Sequence, residues 1–301
     1  MTRQLSVGFA LAGVATLTTI VAPAPPKADA AFPGAVGRIA MTLARPGSSS
    51  EVWTVSQAGT RLRLVVRART DAVAPSWSSD GRRLVLVIGG AVWRVNGDGQ
   101  RLTRVTGRAV VDAESPAWSP DGKQIAFAAR TRGNNFDIYV CRADGTGLRR
   151  LTRSPLPDER PSWSPDGRRI VFARAISSRR SDVWLMTANG SSQRAVGYGA
   201  APDWSPDGKL IALTLGRGIA VMRPDGTGLT RLVDGPGIAG DPAWSPDGHW
   251  IVFWSDRASD EATKGDLYVV TTDGESVTRV TYEPEVWHFD PSWQPLPRRA
   301  P

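Results

Sequence analysis

The sequence Trp118-Ser119-Pro120-Asp121-Gly122 recurs along the chain at a nearly constant interval, and this recurrence indicates the fold. The other copies, which include a Trp-Ser-Ser-Asp-Gly variant and a degraded last copy, contain Trp77, Trp163, Trp204, Trp244 and Trp293. Successive tryptophans are 41, 45, 41, 40 and 49 residues apart. A period of about 40 to 45 residues is typical of a β-propeller blade made of four short antiparallel strands.

The recurring motif predicts a tight turn between two strands. Ser119 suits the first turn position, Pro120 suits the second because its φ is fixed, and Gly122 can adopt the positive φ that reverses the chain. An apolar run such as Ile125–Phe127 follows, then a second apolar run, and then a further reversal such as Asp144-Gly145. Each repeat therefore predicts four strands joined by two tight turns and one longer loop.

The two ends of the repeat region are incomplete, and they complement each other. Three strand-like runs precede Trp77, at Gly37–Leu43, Glu51–Val55 and Arg61–Val66, and one lone strand, Pro291–Gln294, closes the chain. Three strands from the start and one from the end make one further blade, which leaves no sheet edge unpaired. The sequence predicts an all-β, six-bladed β-propeller with this composite closure, spanning residues 31–297, with a short tail at 298–301.

The N-terminal segment has the features of a secretory leader. A positive residue, Arg3, precedes the apolar stretch Leu5–Ala22, and Ala28-Asp29-Ala30 fits a small-x-small cleavage site. We expect residues 1–30 to be a signal peptide, and the protein to be secreted to the periplasm or the cell exterior without a stable membrane span. An uncleaved anchor is the alternative, although Leu5–Ala22 is only marginally long enough to span a bilayer.

The charge and the single cysteine limit the classes of partner. The chain carries a formal net charge of +8, and its first thirty residues contribute only +1 of it. Attraction to an anionic polymer is one interpretation. Since the chain contains no run of five or six basic residues, we favour a scattered basic surface and expect no nucleic-acid partner. Cys141 has no cysteine partner, so we expect it to be a buried apolar residue. We also expect the protein to be a monomer.

Most of the recurring residues are expected to be structural. The turn aspartates lie in separate blades, so they predict turn formation and no metal site. Asp137, Asp182 and Asp266 each precede a third strand and are expected to bond nearby backbone. The six repeat tryptophans are expected to pack between neighbouring blades: Trp77, Trp118, Trp163, Trp204, Trp244 and Trp293.

The repeat resembles the propeller repeats of the TolB family, also called WD40-like or PD40 repeats. The resemblance rests on Pro-x-Trp-Ser-Pro-Asp-Gly, an Ile-x-Phe strand, an Asp-Ile-Tyr strand and a closing strand such as Arg149–Thr152, and it covers about Gly37 to Pro297. It implies a TolB-like propeller in a periplasmic or extracellular setting. The sequence departs from TolB in one respect: TolB carries an α/β domain ahead of its propeller, and we expect none here because only six residues separate Ala30 from the first predicted strand at Gly37. Because the TolB propeller docks a lipoprotein over its central opening, a protein or cell-envelope partner is expected by analogy.

One face of the predicted propeller is the better candidate for binding. The short tight turns lie on one side, whereas the variable loops lie on the other, and variable loops on a rigid scaffold usually carry binding sites. The ends of the inter-blade loops are expected to ring the central opening, with Trp287 and His288 as an aromatic pair suited to stacking. These partner-binding candidates are Asp71, Glu114, Glu159, Arg160, Asp203, Asp241, Trp287, His288 and Asp290. A ring of solvated carboxylates that only cap strand starts is the alternative.

The sequence gives little support to catalysis. It contains no Gly-x-Ser-x-Gly elbow, no glycine-rich phosphate loop and no His-Glu-x-x-His motif. The leading hypothesis is therefore a non-enzymatic binding protein without a cofactor. The alternative is a carbohydrate-active or hydrolytic enzyme that uses acidic residues around the opening, such as Asp203 and Asp241.

Overall fold

The computed structural model describes residues 37–130, 135–178, 180–258, 265–283 and 285–296. The predicted signal peptide, the C-terminal tail and Arg179 lie outside these residues. Within them the chain forms six four-stranded antiparallel sheets. The innermost strands of successive sheets contact one another around a closed circle, so the sheets are the blades of a six-bladed propeller, as predicted.

Each blade consists of four strands, which follow one another from the channel outwards. Blade 1 contains β24 (Trp287–Trp293), β1 (Ile39–Ala44), β2 (Glu51–Val55) and β3 (Arg63–Val66). Blade 2 contains β4 (Ala72–Trp77), β5 (Arg83–Ile88), β6 (Ala91–Asn96) and β7 (Thr103–Arg104), and blade 3 contains β8 (Val111–Trp118), β9 (Gln124–Arg130), β10 (Asp137–Arg142) and β11 (Arg149–Arg150). Blade 4 contains β12 (Asp158–Trp163), β13 (Arg169–Ser177), β14 (Arg180–Thr187) and β15 (Arg194–Tyr198). Blade 5 contains β16 (Ala200–Trp204), β17 (Ile211–Leu215), β18 (Gly218–Met222) and β19 (Thr230–Val233), and blade 6 contains β20 (Ala239–Trp244), β21 (Trp250–Ser255), β22 (Asp266–Thr271) and β23 (Val277–Arg279).

Blade 1 closes the ring by joining the two ends of the propeller. Strand β1 pairs antiparallel with β24, with Ile39 opposite Trp293 and Ala44 opposite Trp287. The backbone N–H of Gln294 also donates to the carbonyl of Arg38 at 2.8 Å. The composite closure is confirmed, and β24 begins four residues before the predicted start of this strand at Pro291.

The hydrophobic core lies between blades. The buried apolar side chains of the described residues fall into six clusters, and each cluster combines neighbouring blades around one repeat tryptophan. Trp163, for example, packs with Ile138 of blade 3 and Phe172 of its own blade. The indole N–H of each repeat tryptophan finds no acceptor among the described residues. These tryptophans therefore stabilise the fold through the apolar area that they bury.

The tight turns form as the motif predicts. In blade 3 the N–H of Gly122 donates to the carbonyl of Ser119 at 2.9 Å, and Gly122 has a φ of +67°. The Ser119 hydroxyl donates to Asp121 at 2.6 Å and accepts the backbone N–H of Gln124. The bond from Ser119 lowers the pKa of Asp121. The same serine–aspartate bond recurs in the first turns of blades 2, 4, 5 and 6, so these aspartates serve the turns.

The aspartates at the start of the third strands bond side chains, and the expectation of backbone partners was wrong. The buried Asp137 pairs with Arg150 at 2.5 Å and accepts from the Thr152 hydroxyl at 3.3 Å. Asp182 forms an ion pair with the Arg180 guanidinium at 3.1 Å. In blades 3 and 6 an Arg-x-Thr sequence at the end of the fourth strand presents both donors to the aspartate. Asp266 of blade 6 thus accepts from Arg279 at 2.5 Å and from the Thr281 hydroxyl at 3.0 Å. Cys141 is buried as expected, and burial raises its pKa to about 12.

Replacing Trp163 by alanine is expected to lower the free energy of unfolding by about 3–5 kcal/mol, because it leaves a cavity between blades 3 and 4. Urea unfolding followed by circular dichroism measures this change. Trp287→Ala is the matched control, since the Trp287 side chain is 45% exposed and its loss should change stability by about 0.5 kcal/mol. Equal losses for the two variants would show that the blade interface does not depend on the repeat tryptophan.

Candidate functional site: the channel mouth

A β-bulge interrupts the innermost strand of every blade three residues before its tryptophan. The pairing with the next strand shifts register at this point in all six blades. The bulged residue adopts a positive φ of 46–54° although it is never glycine. Such a backbone conformation costs about 1–3 kcal/mol, so the surrounding blade must hold it in place. The six residues line the central channel, and they are Ala74, Ser115, Arg160, Ala201, Asp241 and Asp290.

A proline follows each bulged residue. Proline has no backbone N–H, and the innermost strand is an edge strand, so the proline removes no hydrogen bond from the sheet. Its fixed φ also restricts the chain just after the bulge. The repeated pair of bulge and proline therefore presents one side chain per blade to the channel at the same level. The prolines are Pro75, Pro116, Pro161, Pro202, Pro242 and Pro291.

Arg160 crosses the channel at this level. From blade 4 it donates to the Asp241 carboxylate of blade 6, and the same nitrogen lies 4.0 Å from Asp290 Oδ1 of blade 1. Thr42 completes the contacts of Asp290 by donating its hydroxyl at 3.1 Å. Burial and the neighbouring Asp241 raise the pKa of Asp290 to about 6, although Arg160 and Thr42 oppose this shift. One guanidinium thus serves two carboxylates and connects opposite sides of the ring.

A cavity of about 530 Å³ opens above this crossing on the side of the variable loops. Its apolar wall is formed mainly by Ile238, Trp254, Trp287 and Phe289. Its polar groups include Glu114, Asp256 and the three charged residues of the crossing, which line the channel as well. The cavity therefore stands directly over the narrow channel, and Arg160 with its two carboxylates lies where they meet.

Two glycines make room for the largest side chain of the wall. A Cβ on Gly240 would lie 2.9 Å from Trp254 Nε1, and a Cβ on Gly265 would lie 3.1 Å from Trp254 Cε3. The Trp254 indole is therefore held between two backbone segments and forms a fixed surface. Trp287 instead projects into solvent, so its indole is available to a binding partner.

Asp203 lies in the channel wall, two positions beyond the bulge of blade 5, and it links three blades. Its Oδ1 accepts from the Ser162 hydroxyl of blade 4 at 2.8 Å, and its Oδ2 accepts the backbone N–H of Trp244 in blade 6 at 2.9 Å. Burial raises the pKa of Asp203 to about 6, and these two bonds oppose the shift. Ser292 accepts the N–H of Trp77 in the same way at 3.1 Å. The contacts of Asp203 thus hold blades together.

His288 is among the residues that line the cavity, but its side chain is buried. The expectation that its ring stacks on a partner was therefore wrong. Its Nε2 lies 2.7 Å from a Glu283 carboxylate oxygen, and its Nδ1 lies 3.3 Å from the Thr281 hydroxyl and 3.5 Å from Asp266. Burial lowers its pKa, but the bonds to Asp266 and Glu283 outweigh that effect and raise the pKa overall. Strand β24 alternates its side chains, so Trp287 and His288 point to opposite sides.

The remaining predicted residues are spread over different depths. Glu114 lines the cavity. Burial raises the pKa of Glu114, and the negative charge of the nearby Glu159 raises it further. Asp71 lies outside the linings of both cavity and channel; it is exposed and accepts the backbone N–H of Ser50 at 2.7 Å. Its expected place at the opening was wrong, because the bulge of blade 2 falls at Ala74. An alignment of the repeats on the tryptophan places Ala74, and not Asp71, at the position equivalent to Arg160.

Two further observations concern the described residues only. No group of three His, Cys, Asp or Glu side chains among them is arranged so that it could hold a metal ion. Nor does that part of the chain contain a helix that is long and apolar enough to cross a membrane.

The protein is a six-bladed β-propeller whose cavity stands over a narrow channel that Arg160 crosses. We call this cavity and the Arg160 crossing at its base the channel mouth. The family model described as the TolB beta propeller domain matches residues 194–298, and the model described as the Tricorn protease N-terminal beta propeller domain matches residues 81–214. The resemblance predicted from the repeat is confirmed.

Solved structures show the same fold. TolB from Acinetobacter baumannii superposes with a TM-score of 0.74 at 22% identity, covering 86% of this chain and 66% of that chain, so this chain spans just under two thirds of that TolB. Putative TolB from Agrobacterium tumefaciens gives 0.68 at 22% identity over 85% and 98%. Hydrazine synthase from Kuenenia stuttgartiensis gives 0.71 at 15% identity over 88% and 48%. At these identities the structural similarity shows the fold alone.

Replacing Glu283 by glutamine is expected to lower the pKa of His288 towards its usual range, because the substitution removes a carboxylate that stabilises the imidazolium. In the unchanged protein, protonated His288 stabilises the fold fully below about pH 6.5, and this contribution is lost as the pH rises through the raised folded-state pKa. NMR titration of the imidazole resonances measures the pKa of His288 in the wild type and in the variant. An unchanged pKa in the variant would remove Glu283 as a cause of the shift.

Proposed function

We propose that this protein is a secreted, non-enzymatic propeller that binds a protein or cell-envelope partner through the channel mouth. The observation that carries the proposal is the cavity on the variable-loop face, where apolar side chains surround a fixed polar base. Ligand sites commonly combine an apolar lining with a few placed polar groups, and a volume of about 300–1,000 Å³ is typical. Exposed Trp287 and Ile238 at this cavity are suited to a desolvated contact with a partner.

The comparison proteins support this proposal at the level of the family. TolB-like repeats and the propeller resemblance favour interaction with another protein in the periplasm, and the export signal predicted at residues 1–30 agrees with that location. A propeller scaffold carries unrelated functions, however, and one of the similar structures is a chain of hydrazine synthase. The proposal therefore rests on the mouth and not on the fold.

The contacts of the acidic residues weigh against the hydrolytic alternative. That alternative needs two carboxylates free to act on a substrate, such as Asp203 and Asp241. Asp241 is paired with Arg160, and both oxygens of Asp203 accept hydrogen bonds from neighbouring blades. Asp203 and Asp241, the two carboxylates named for this alternative, each have a structural partner that catalysis would have to displace. Binding needs no such displacement, because the apolar wall is already open.

Trp287→Ala is expected to abolish capture of the envelope partner while the fold persists, because it removes an exposed aromatic side chain from the cavity rim. The measurement compares the proteins retained from envelope extract by the wild type and by the variant. Tyr198→Ala is the matched control, since Tyr198 is 54% exposed at the outer edge of blade 4. A photo-crosslinking residue at position 287, but not at 198, should label the same partner. Retention of that partner by Trp287→Ala contradicts the proposed site.

Export with cleavage after Ala30 is expected to yield a mature chain that begins at Ala31, because Ala28-Asp29-Ala30 presents small residues to the signal peptidase. N-terminal sequencing of the protein from the periplasmic or culture fraction identifies the first residue of the mature chain. Ala30→Gln is the control that should block cleavage. A chain that keeps its N-terminus and fractionates with membranes would instead establish the anchor alternative.

A further inference from the structure

The charge of the mouth is opposite to that of the whole chain. Among the residues that the structure describes, four carboxylates line the cavity, from Glu114, Asp241, Asp256 and Asp290. The basic groups of this described lining are Arg160 and the imidazole of His288, which is bonded to Glu283. The chain as a whole carries a formal net charge of +8. A concave site with walls of low dielectric constant concentrates the field of its charges. The mouth is therefore an acidic site on a basic protein.

The carboxylates at the base are incompletely neutralised. Arg160 is in hydrogen-bond contact with Asp241, whereas Asp290 stays 4.0 Å from the same nitrogen. Glu114 faces Glu159 and Asp112 as well as Arg160 and Arg130. Of these cations, Arg160 is already engaged by Asp241, and the Arg130 guanidinium stacks 4.3 Å over the ring of Phe136. Among the described residues, neither Asp290 nor Glu114 has a cation within hydrogen-bond distance, so a further positive group at the base would find both carboxylates available.

The wall above these carboxylates suits a cation that is attached to an apolar body. Trp254 is fixed between two glycines, and Trp287 and Phe289 add further aromatic surface. Aromatic faces attract ammonium and guanidinium groups within about 6 Å, and more strongly when water is excluded. Arg160 itself shows that a guanidinium is accommodated between Asp241 and Asp290.

From this geometry we infer that the mouth binds a basic side chain, arginine or lysine, next to an aromatic or apolar residue in a segment of the partner. The cation lies towards Asp290 and Glu114, and the apolar neighbour lies against Trp254 and Trp287. This inference names the chemistry recognised at the proposed binding site and rests on that proposal. It also separates the mouth from the rest of the basic surface, which would repel the same segment.

The binding is expected to depend on pH with a definite sign. Asp290 has a pKa raised to about 6 by burial and by Asp241, with Arg160 and Thr42 opposing, and burial with Glu159 raises the pKa of Glu114. Both side chains gain negative charge as the pH rises, whereas an arginine ligand stays protonated. Affinity should therefore increase between about pH 5 and pH 7.5, and binding near pH 6 should release protons.

The test is isothermal titration calorimetry of the propeller with the capped dipeptide acetyl-Phe-Arg-amide. Acetyl-Phe-citrulline-amide is the matched probe, because its neutral urea has nearly the shape of the guanidinium. We expect the arginine peptide to bind at least about tenfold more tightly than the citrulline peptide, as charge-assisted hydrogen bonds are the stronger ones. Acetyl-Phe-Glu-amide should not bind.

The variants locate the binding. Glu114→Gln and Asp290→Asn should each weaken the arginine peptide several-fold and reduce its pH dependence, and Trp287→Ala should weaken both the arginine and the citrulline peptide. Asp71→Asn is the control, because Asp71 is a carboxylate outside the cavity. Glu114→Gln keeps the test valid if Asp290→Asn fails to fold, since Asp290 also accepts a bond from Thr42.

Three results overturn the inference: equal affinity for the arginine and citrulline peptides, no binding of either, or arginine binding that survives both carboxylate substitutions. Capture of the envelope partner is measured separately with Trp287→Ala. If Trp287 governs capture but the dipeptides show no charge preference, the proposed function stands and only the recognition of a basic side chain fails.

Discussion

Burial of apolar surface between neighbouring blades is the interaction on which this structure depends. A single four-stranded blade has apolar side chains on both faces, and it can bury both only between two other blades. The tryptophan of each repeat fills the interface with the preceding blade, as Trp77 does between blades 1 and 2. Because every blade needs a neighbour on each side, the requirement is met only by a closed ring. The pairing of β1 with β24 is therefore a condition for the whole core.

The same packing holds the strained backbone at the channel. Six non-glycine residues with positive φ, each followed by a proline, would be costly in a free strand. In the propeller each innermost strand is fixed between its own second strand and the strands of the two adjacent blades. Contacts such as that between Asp203 and the Trp244 N–H add direct links between neighbours. The free energy of blade packing thus maintains a ring of bulges that aims side chains into the channel.

The sequence predicted the fold well because the repeat encodes local structure several times over. The turn chemistry of Ser119–Gly122 and the spacing of the tryptophans each identify a four-stranded unit, and the unequal chain ends identify the closure. The site was predicted less well. Arg160, Asp241 and Asp290 do meet, but Asp71 does not join them and the His288 ring is turned inwards. A β-bulge reverses the alternation of side chains, and the pattern of apolar residues in so short a strand does not reveal it.

The repeat also explains why the mouth differs from blade to blade while the scaffold does not. The tryptophan, the proline and the turn residues fix the backbone. The bulged side chain is therefore not needed for packing between blades, and it differs from one repeat to the next. Four of the six positions hold alanine, serine or arginine, and the two aspartates belong to adjacent blades 6 and 1. The aromatic wall, Trp254 and Trp287, belongs to these same two blades. The two bulge aspartates and the aromatic wall therefore lie on one side of the ring, and Glu114 of blade 3 faces them across the cavity. A ligand that carries both a cation and an apolar group matches this arrangement.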